Sequence, residues 1–161
     1  MLLYIHVPFC STRCRYCAFH SSPLGRGVDA ASSPAVRDYV DTLFMELAHW
    51  GDQLGGSEVQ SVFFGGGTPS LLSPRIIGLT MERISKYFRL VPKAEVTLEA
   101  HPESLRGGHR AAQYLDAGIN RLSIGVQSMD EGMPPLLGRP PKAPVSLHGD
   151  FLAREAGAPN T

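Results

Sequence analysis

The sequence has no net charge, because its 15 basic residues are matched by 15 acidic ones. This balance gives no reason to expect nucleic acid or an anionic membrane as a partner. The 161 residues also lack an apolar run near the ~20 residues that a membrane-spanning helix needs. The opening segment MLLYIHV is too short for the core of a signal peptide and has no basic residues before it. We therefore expect a globular cytoplasmic protein.

Cysteine is scarce, and its three copies, Cys10, Cys14 and Cys17, all fall within residues 10–17. An odd number of thiols in one cluster argues against disulfides, as does a cytoplasmic location. The spacings C-x3-C and C-x2-C are instead typical of ligands to a metal ion or to an iron–sulfur cluster. No second cluster of cysteines exists to complete a four-thiol site.

Three interpretations of the cysteines remain open at this point. A structural zinc site would need His6 or His20 as its fourth ligand, although such sites usually come as two separated pairs of ligands. The cysteines could also be three unrelated thiols. The third interpretation is an iron–sulfur cluster, which normally has four thiolate ligands. With three supplied, one iron keeps an open position, as catalytic metal sites do.

Patterns of strands and helices alternate along the chain. Ser33 and Pro34 fit the N-cap and first residue of a helix over 35–50, and Ser73 and Pro74 begin a second one in the same way. A third, weaker helix covers roughly 104–117 and ends at Gly118. The β-type runs between them are 2–7, 61–65, 95–100 and 121–127. This alternation predicts an α/β fold of parallel strands joined by right-handed crossovers.

Two further expectations concern the first helix and the end of the chain. Trp50, on the first helix, is predicted to lie in the core. Proline is concentrated in the last thirty residues. We therefore expect residues 1–140 to form one folded unit and residues 141–161 to form a proline-rich tail with room for one helix.

The candidate site lies where the predicted strands end, since α/β folds place their sites at the carboxyl ends of strands. The segment GGGTP follows the second strand at 65–69, and its glycines would let backbone N–H groups approach a ligand. A simple tight turn from strand to helix explains it equally well. Glu99 ends an otherwise apolar strand and Gln127 ends the next one. A buried carboxylate at Glu99 needs a partner, whereas a solvent-facing one does not.

Four segments together resemble one known family: YIHVPFC with the C-x3-C-x2-C pattern, FFGGGTPSLL, TLEAHPESL and GINRLSIGVQSMDEGMPPLLGR. They resemble, in order and spacing, the radical S-adenosylmethionine enzymes of the oxygen-independent coproporphyrinogen III oxidase group. The resemblance covers residues 2 to about 140. It implies a six-unit (β/α) barrel, of which about four β/α units are present here.

The resemblance also implies cofactors and the residues that bind them. Cys10, Cys14 and Cys17 would hold a [4Fe–4S] cluster, and S-adenosylmethionine would chelate its open iron. The residues implied to bind S-adenosylmethionine are Tyr4, Tyr16, Gly66, Gly67, Thr68, Glu99, Gln127 and Arg139. Arg139 would neutralise the carboxylate of S-adenosylmethionine, a task suited to a guanidinium. His6 would lie next to the cluster ligands, or it is an ordinary packed histidine.

Within this group, two features favour the heme-chaperone branch over the oxidases. The oxidases have a longer segment before the first strand, and they carry an extra cysteine soon after the cluster, where this sequence has AFHS. The branch implies heme as a ligand and heme-accepting apoproteins as partners. A one-electron donor such as flavodoxin or ferredoxin would reduce the cluster. The alternatives are the oxidase itself, acting on a porphyrinogen, and a non-enzymatic carrier of a cluster or heme. Members of the family are more than twice as long, so we expect this chain alone to be poorly stable and inactive.

Overall fold

Four parallel strands form the main sheet of the computed structural model, which describes residues 1–105 and 109–125. The strands of the chain are β1 Leu2–Val7, β2 Phe9–Cys10, β3 Ser22–Pro23, β4 Glu58–Gly66, β5 Arg89–Ala100 and β6 Arg121–Ile124. The helices are α1 Pro34–Leu54, α2 Pro74–Tyr87 and α3 His109–Asp116. One helix lies between each pair of successive strands of the main sheet. The predicted α/β fold class is confirmed.

The order of the main sheet is β1-β4-β5-β6, and all of its neighbouring pairs are parallel. Val7 lies opposite Gly66, and Ala100 lies opposite Ile124, so the strands end at one common edge. The two-residue strands β2 and β3 form a separate parallel pair just beyond β1. The segments that carry the candidate residues are therefore brought to the same end of the sheet.

Both long helices begin where the sequence predicted, but their caps differ. The Oγ atom of Ser73 accepts a hydrogen bond from the N–H of Ile76 at 3.3 Å, which satisfies one of the first N–H groups of α2. Ser33 occupies the corresponding position before α1 without such a side-chain bond. The helix α1 also continues to Leu54, beyond the predicted end at residue 50.

The core lies between the sheet and the inner faces of the helices. Val62, Phe64 and Leu98 on the central strands are fully buried, as are Ile77 and Ile84 on α2. Their burial follows the three- and four-residue spacing on the helix and the buried character of a parallel sheet. Trp50 is an exception to the prediction. Its side chain is 47% exposed, because it lies on the outer face of α1, where it contacts the ring of His49.

Some predicted elements differ in extent or fall outside the described residues. Of the predicted third helix, the described residues form a short 3₁₀ turn, Pro102–Leu105, and α3, which is followed by Gly118 at a φ of 98°. The predicted continuation of the last strand to residue 127, the residues Gln127 and Arg139, and the tail 141–161 lie outside the described residues. Among the helices that the structure describes, none is long and apolar enough to cross a membrane.

Candidate functional site

A cavity of about 840 Å³ opens at the carboxyl ends of the main strands. This volume is within the range of small-molecule sites in proteins. Eight of the residues predicted for the site line it: Cys10, Cys14, Tyr16, Cys17, Gly66, Gly67, Thr68 and Glu99. They come from the loop after β1, the turn after β4 and the end of β5. The fold therefore brings three distant segments of the sequence to one wall.

The first of these segments is residues 10–21, which we call the cysteine loop. Its two ends are held together by the β2–β3 pair and by two flanking hydrogen bonds, from Ser22 N–H to the Pro8 carbonyl at 2.6 Å and from Leu24 N–H to the Cys10 carbonyl at 2.8 Å. Inside the loop, the N–H of Cys17 donates to the carbonyl of Cys14 at 3.2 Å. All three cysteines are half-buried. The loop is thus closed at its base while its thiols face the cavity.

The second segment is the turn Gly66–Thr68, which we call the glycine turn. Gly66 has a φ of 111°, a conformation that side chains rarely allow. A Cβ atom on Gly67 would lie 2.5 Å from the Phe9 carbonyl oxygen and 3.0 Å from the Cys10 Sγ atom. The hydroxyl of Thr68 donates to the same Sγ atom at 3.6 Å. The glycines therefore let the turn lie directly against the first cysteine.

The N–H groups of the glycine turn do not point at a ligand, which corrects the argument made from the sequence. Gly67 N–H donates to the Val7 carbonyl at 2.8 Å, and Thr68 N–H donates to the Phe9 carbonyl at 2.7 Å. Gly66 N–H donates to the carboxylate of Glu99. These N–H groups bind the turn to its neighbours, so any ligand contacts of the turn must come from other atoms.

Glu99 is half-buried and has the partner that a carboxylate in this environment needs. Its Oε2 atom accepts the hydrogen bond from Gly66 N–H at 3.2 Å. The negative charge also acts on Tyr4, whose pKa is raised first by burial and second by Glu99. Tyr4 itself is half exposed and is not among the cavity-lining residues. Its ring stacks on Phe63 with the centroids 6.1 Å apart.

The side-chain chemistry distinguishes the metal interpretations. No three His, Cys, Asp or Glu side chains within residues 1–105 and 109–125 are gathered closely enough to hold a metal ion. His6 is engaged at both ring nitrogens, with the Tyr4 hydroxyl at 3.1 Å and the His20 carbonyl at 3.0 Å. It could serve as a zinc ligand only by losing one of these bonds. The three cysteines line one cavity beside the glycine turn, and thiolates are the usual ligands of iron–sulfur clusters.

Sequence reasoning missed several residues of the cavity wall. The missed polar and charged side chains include Arg26, His101, Glu103 and Ser123. His101 and Glu103 directly follow β5, so the rule that sites lie after strand ends could have found them. Arg26 lies in the loop that follows β3, between two glycines with positive φ. No pattern in the sequence indicates that this loop reaches the cavity.

Comparison with known proteins agrees with this arrangement. A family model described as Radical SAM superfamily matches residues 4–161. The protein named Radical S-adenosyl methionine domain-containing protein 1, mitochondrial, of Bos taurus is 43% identical over 137 residues, which cover 85% of this chain and 29% of that protein. Heme chaperone HemW of Escherichia coli K12 is 38% identical over 154 residues, which cover 96% of this chain and 37% of that protein.

A solved structure also matches. Coproporphyrinogen III oxidase HemN from Escherichia coli, described as a radical SAM enzyme, has a TM-score of 0.84 and 28% identity with this chain. The match covers 98% of this chain and 35% of that one. This chain therefore spans about a third of the length of the relatives it matches.

Proposed function

This chain belongs to the radical SAM superfamily, and we propose that within this superfamily it acts as a heme chaperone. Use of S-adenosylmethionine and an iron–sulfur cluster is general in the superfamily. The single observation that supports their use here is the shared cavity: the cysteine loop, the glycine turn and Glu99 line one wall. The specific assignment of a [4Fe–4S] cluster to Cys10, Cys14 and Cys17 is part of the proposal.

Each part of the wall has a role suited to its chemistry. The three cysteines provide soft thiolate ligands for iron. The N–H groups of the glycine turn are bonded inside the protein. The Thr68 hydroxyl donates to Cys10 Sγ and can still accept a hydrogen bond, which suits a protonated amine such as that of S-adenosylmethionine. Glu99 places a negative charge beside the same turn. When bound, the reduced cluster supplies the one electron that cleaves the sulfonium of S-adenosylmethionine.

The heme-chaperone assignment rests on relatives and on one sequence feature. Heme chaperone HemW of Escherichia coli aligns with nearly the whole of this chain. The segment AFHS after Cys17 also lacks the extra cysteine expected of the oxidases. Heme would be the cargo, apoproteins that accept heme would be the partners, and a flavodoxin or ferredoxin would be the electron donor.

A second candidate is the oxidative decarboxylation of coproporphyrinogen III. It is supported by the match to the solved oxidase from Escherichia coli, which covers 98% of this chain at a TM-score of 0.84. Both candidates need the same cluster and S-adenosylmethionine, so they differ in the tetrapyrrole that is bound. A non-enzymatic carrier is the third possibility and needs the cysteines alone.

The first experiment is anaerobic reconstitution of the full chain with iron and sulfide. We expect about four irons per chain, the content of one [4Fe–4S] cluster, together with its visible absorption. Cys10→Ser, Cys14→Ser and Cys17→Ser should each abolish stable incorporation. Ser21→Ala is the matched control, because Ser21 lines the same cavity but provides no thiolate. Binding of a single zinc ion without colour would contradict the proposal.

The second experiment separates the candidate functions. Dithionite and S-adenosylmethionine are added to the reconstituted protein, and 5′-deoxyadenosine is measured. Formation of 5′-deoxyadenosine would exclude the carrier. Saturable binding of heme without consumption of coproporphyrinogen III supports the chaperone, whereas decarboxylation of coproporphyrinogen III identifies the oxidase.

A further inference from the structure

His6 contacts three separate parts of the site, although its own place is on β1. Its Nδ1 atom lies 3.1 Å from the hydroxyl of Tyr4, and its Nε2 atom lies 3.0 Å from the carbonyl oxygen of His20. A Cβ atom on Gly66 would approach the ring to 2.7 Å at Cε1, so the imidazole lies flush against the glycine turn. The ring thus meets the strand, the turn and the far end of the cysteine loop.

We propose that His6 is a positioning residue that holds the cysteine loop against the sheet through the carbonyl group of His20. A carbonyl oxygen can only accept a hydrogen bond, so the proton of the imidazole must be on Nε2. In the neutral ring, Nδ1 then accepts from the Tyr4 hydroxyl. The two bonds define one tautomer and one ring orientation, which an ordinary packed histidine would not require.

The loop needs such an anchor because its far end has little packing of its own. Ala18, Phe19 and His20 are all exposed, and Ser21 is half-buried. The backbone bonds at Ser22 and Leu24 fix only the base of the loop. The bond from His6 reaches His20, three residues after Cys17, and so restrains the segment on which that cysteine lies.

The strand side of His6 is itself fixed. The hydroxyl of Tyr39 on α1 donates to the carbonyl of His6 at 2.8 Å, and the ring of Tyr39 packs edge-on against Phe9 with the centroids 5.4 Å apart. His6 therefore connects the exposed end of the cysteine loop to a strand that is held by a helix. The hydrogen bond runs through a backbone atom of residue 20, and the rings of His6 and His20 also lie with their centroids 6.3 Å apart.

The test measures hydrogen exchange in the full chain without iron, and it therefore does not depend on the proposed function. In His6→Ala we expect the amides of Ser22 and Leu24 to exchange about five-fold faster, as loss of one hydrogen bond predicts. His20→Ala is the matched control: it loses the ring contact with His6 but keeps the carbonyl group, so its exchange should stay much closer to that of the wild type than the exchange of His6→Ala does. Amides of β4 and β5 should be unchanged in both variants.

Two further variants keep the test decisive if His6→Ala fails to fold. In His6→Gln the amide nitrogen can donate in place of Nε2. The side chain of His6→Asn is too short to reach the His20 carbonyl, and its amide oxygen can only accept in place of Nδ1. We expect the glutamine variant to protect the loop better than the asparagine variant. Equal exchange in the wild type and in His6→Ala, His6→Gln and His6→Asn would overturn the proposal.

Iron incorporation then links this anchor to the proposed cluster. We expect His6→Ala to retain iron several-fold less well than His20→Ala after reconstitution. If the wild type binds no iron but the exchange results hold, the proposed function fails and the anchor stands. If the wild type binds iron and exchange is unaffected in every His6 variant, the anchor fails and the function stands.

Discussion

The carboxylate of Glu99 accepts a hydrogen bond from the backbone N–H of Gly66 at 3.2 Å, which joins the ends of β5 and β4 beside the cavity. The bond uses one carboxylate oxygen and leaves the charge of the group at the cavity wall. It also explains how a half-buried carboxylate is tolerated at the end of an apolar strand. The same residue therefore has a structural bond and a charge, and these can be separated by substitution.

Glu99→Gln should reduce binding of S-adenosylmethionine without unfolding the protein. The glutamine keeps an oxygen that can accept from Gly66 N–H, but it removes the negative charge from the wall. We expect the dissociation constant to rise about ten-fold or more, as for loss of one charge-assisted interaction. Calorimetric titration of the reconstituted protein measures it. Glu95→Gln is the control, because Glu95 pairs with Arg121 at 3.3 Å and is not among the cavity-lining residues. Unchanged affinity in Glu99→Gln would remove Glu99 from the cofactor site.

Gly67→Ala should distort the site, since the new Cβ would lie 2.5 Å from the Phe9 carbonyl oxygen. The neighbour in this contact is backbone, so either the turn or the segment carrying Cys10 must move. We expect a loss of about 1–3 kcal/mol in unfolding free energy, together with weaker iron incorporation. Gly78→Ala is the matched control, because its Cβ would meet only ordinary contacts at 3.7 Å. Within α2, that change should be neutral or stabilising. Urea unfolding measures the unfolding free energy of both variants, and equal values for the two would contradict this prediction.

Tyr114→Phe should destabilise the segment that follows the glycine turn. The Tyr114 side chain is fully buried, and its hydroxyl lies 2.8 Å from the carbonyl oxygens of both Ser70 and Leu72. Phenylalanine leaves these acceptors without that donor, at a cost of about 1–3 kcal/mol. The hydroxyl of Tyr87 makes no hydrogen bond with the described residues, so Tyr87→Phe should change stability by less than about 0.5 kcal/mol. Equal thermal melts for the two variants would contradict this.

Stability should fall in alkaline solution partly through Tyr39. Burial, then Glu46 and Tyr4, raise the pKa of Tyr39 above its ordinary value of 10.0. Because the folded-state pKa is the higher one, the folded protein keeps the proton that the unfolded chain loses. The stabilising contribution is complete below about pH 10 and is lost as the pH rises toward the folded-state pKa.

The corresponding measurement is the urea midpoint of wild type and Tyr39→Phe between about pH 8 and pH 12. The variant should be less stable at pH 8, since it lacks the bond to the His6 carbonyl. Above about pH 10 the unfolding free energy of the variant should fall less steeply than that of the wild type. The two slopes should differ by up to about 1.4 kcal/mol per pH unit. Parallel curves for the two proteins would show that Tyr39 does not contribute.

Local sequence signals predicted the beginnings of elements well where a single residue sets them. β1 has the predicted bounds 2–7, and Ser73 with Pro74 begins α2 as expected. β5, in contrast, begins at Arg89 rather than at 95. Pro92 and Lys93 interrupt its apolar pattern, and Lys93 has a φ of 64°. They lie where the register shifts from Val59 opposite Leu90 to Ser61 opposite Glu95, and pairing with β4 on both sides of this irregularity makes Arg89–Ala100 one strand. Such pairing is a property of the neighbouring strand and is absent from the local sequence.

In the site, too, some features could be predicted from the local sequence and others depend on neighbouring parts of the fold. Of the nine predicted site residues that the structure describes, eight line the cavity, because strand ends in a parallel sheet share one edge; Tyr4 does not line it. The direction of individual groups could not be predicted. The N–H groups of the glycine turn are directed at Val7, Phe9 and Glu99, which lie far away in the sequence or on another strand. The prediction that Trp50 lies in the core was also wrong. The spacing of apolar residues along α1 does not show how far the elements packed against this helix extend.

The pairing of β2 with β3 has a consequence for how the cysteines meet iron. Bringing the ends of an open chain together costs conformational entropy, and this cost would normally oppose the gathering of three thiols. Here the folded backbone has already joined Phe9 and Cys10 to Ser22 and Pro23. Much of the entropy of ring closure is therefore lost during folding, before any metal binds. The high effective concentration of the thiols is thus a property of this strand pair. Replacements within the loop that spare the three cysteines should therefore alter iron affinity less than loss of the pair.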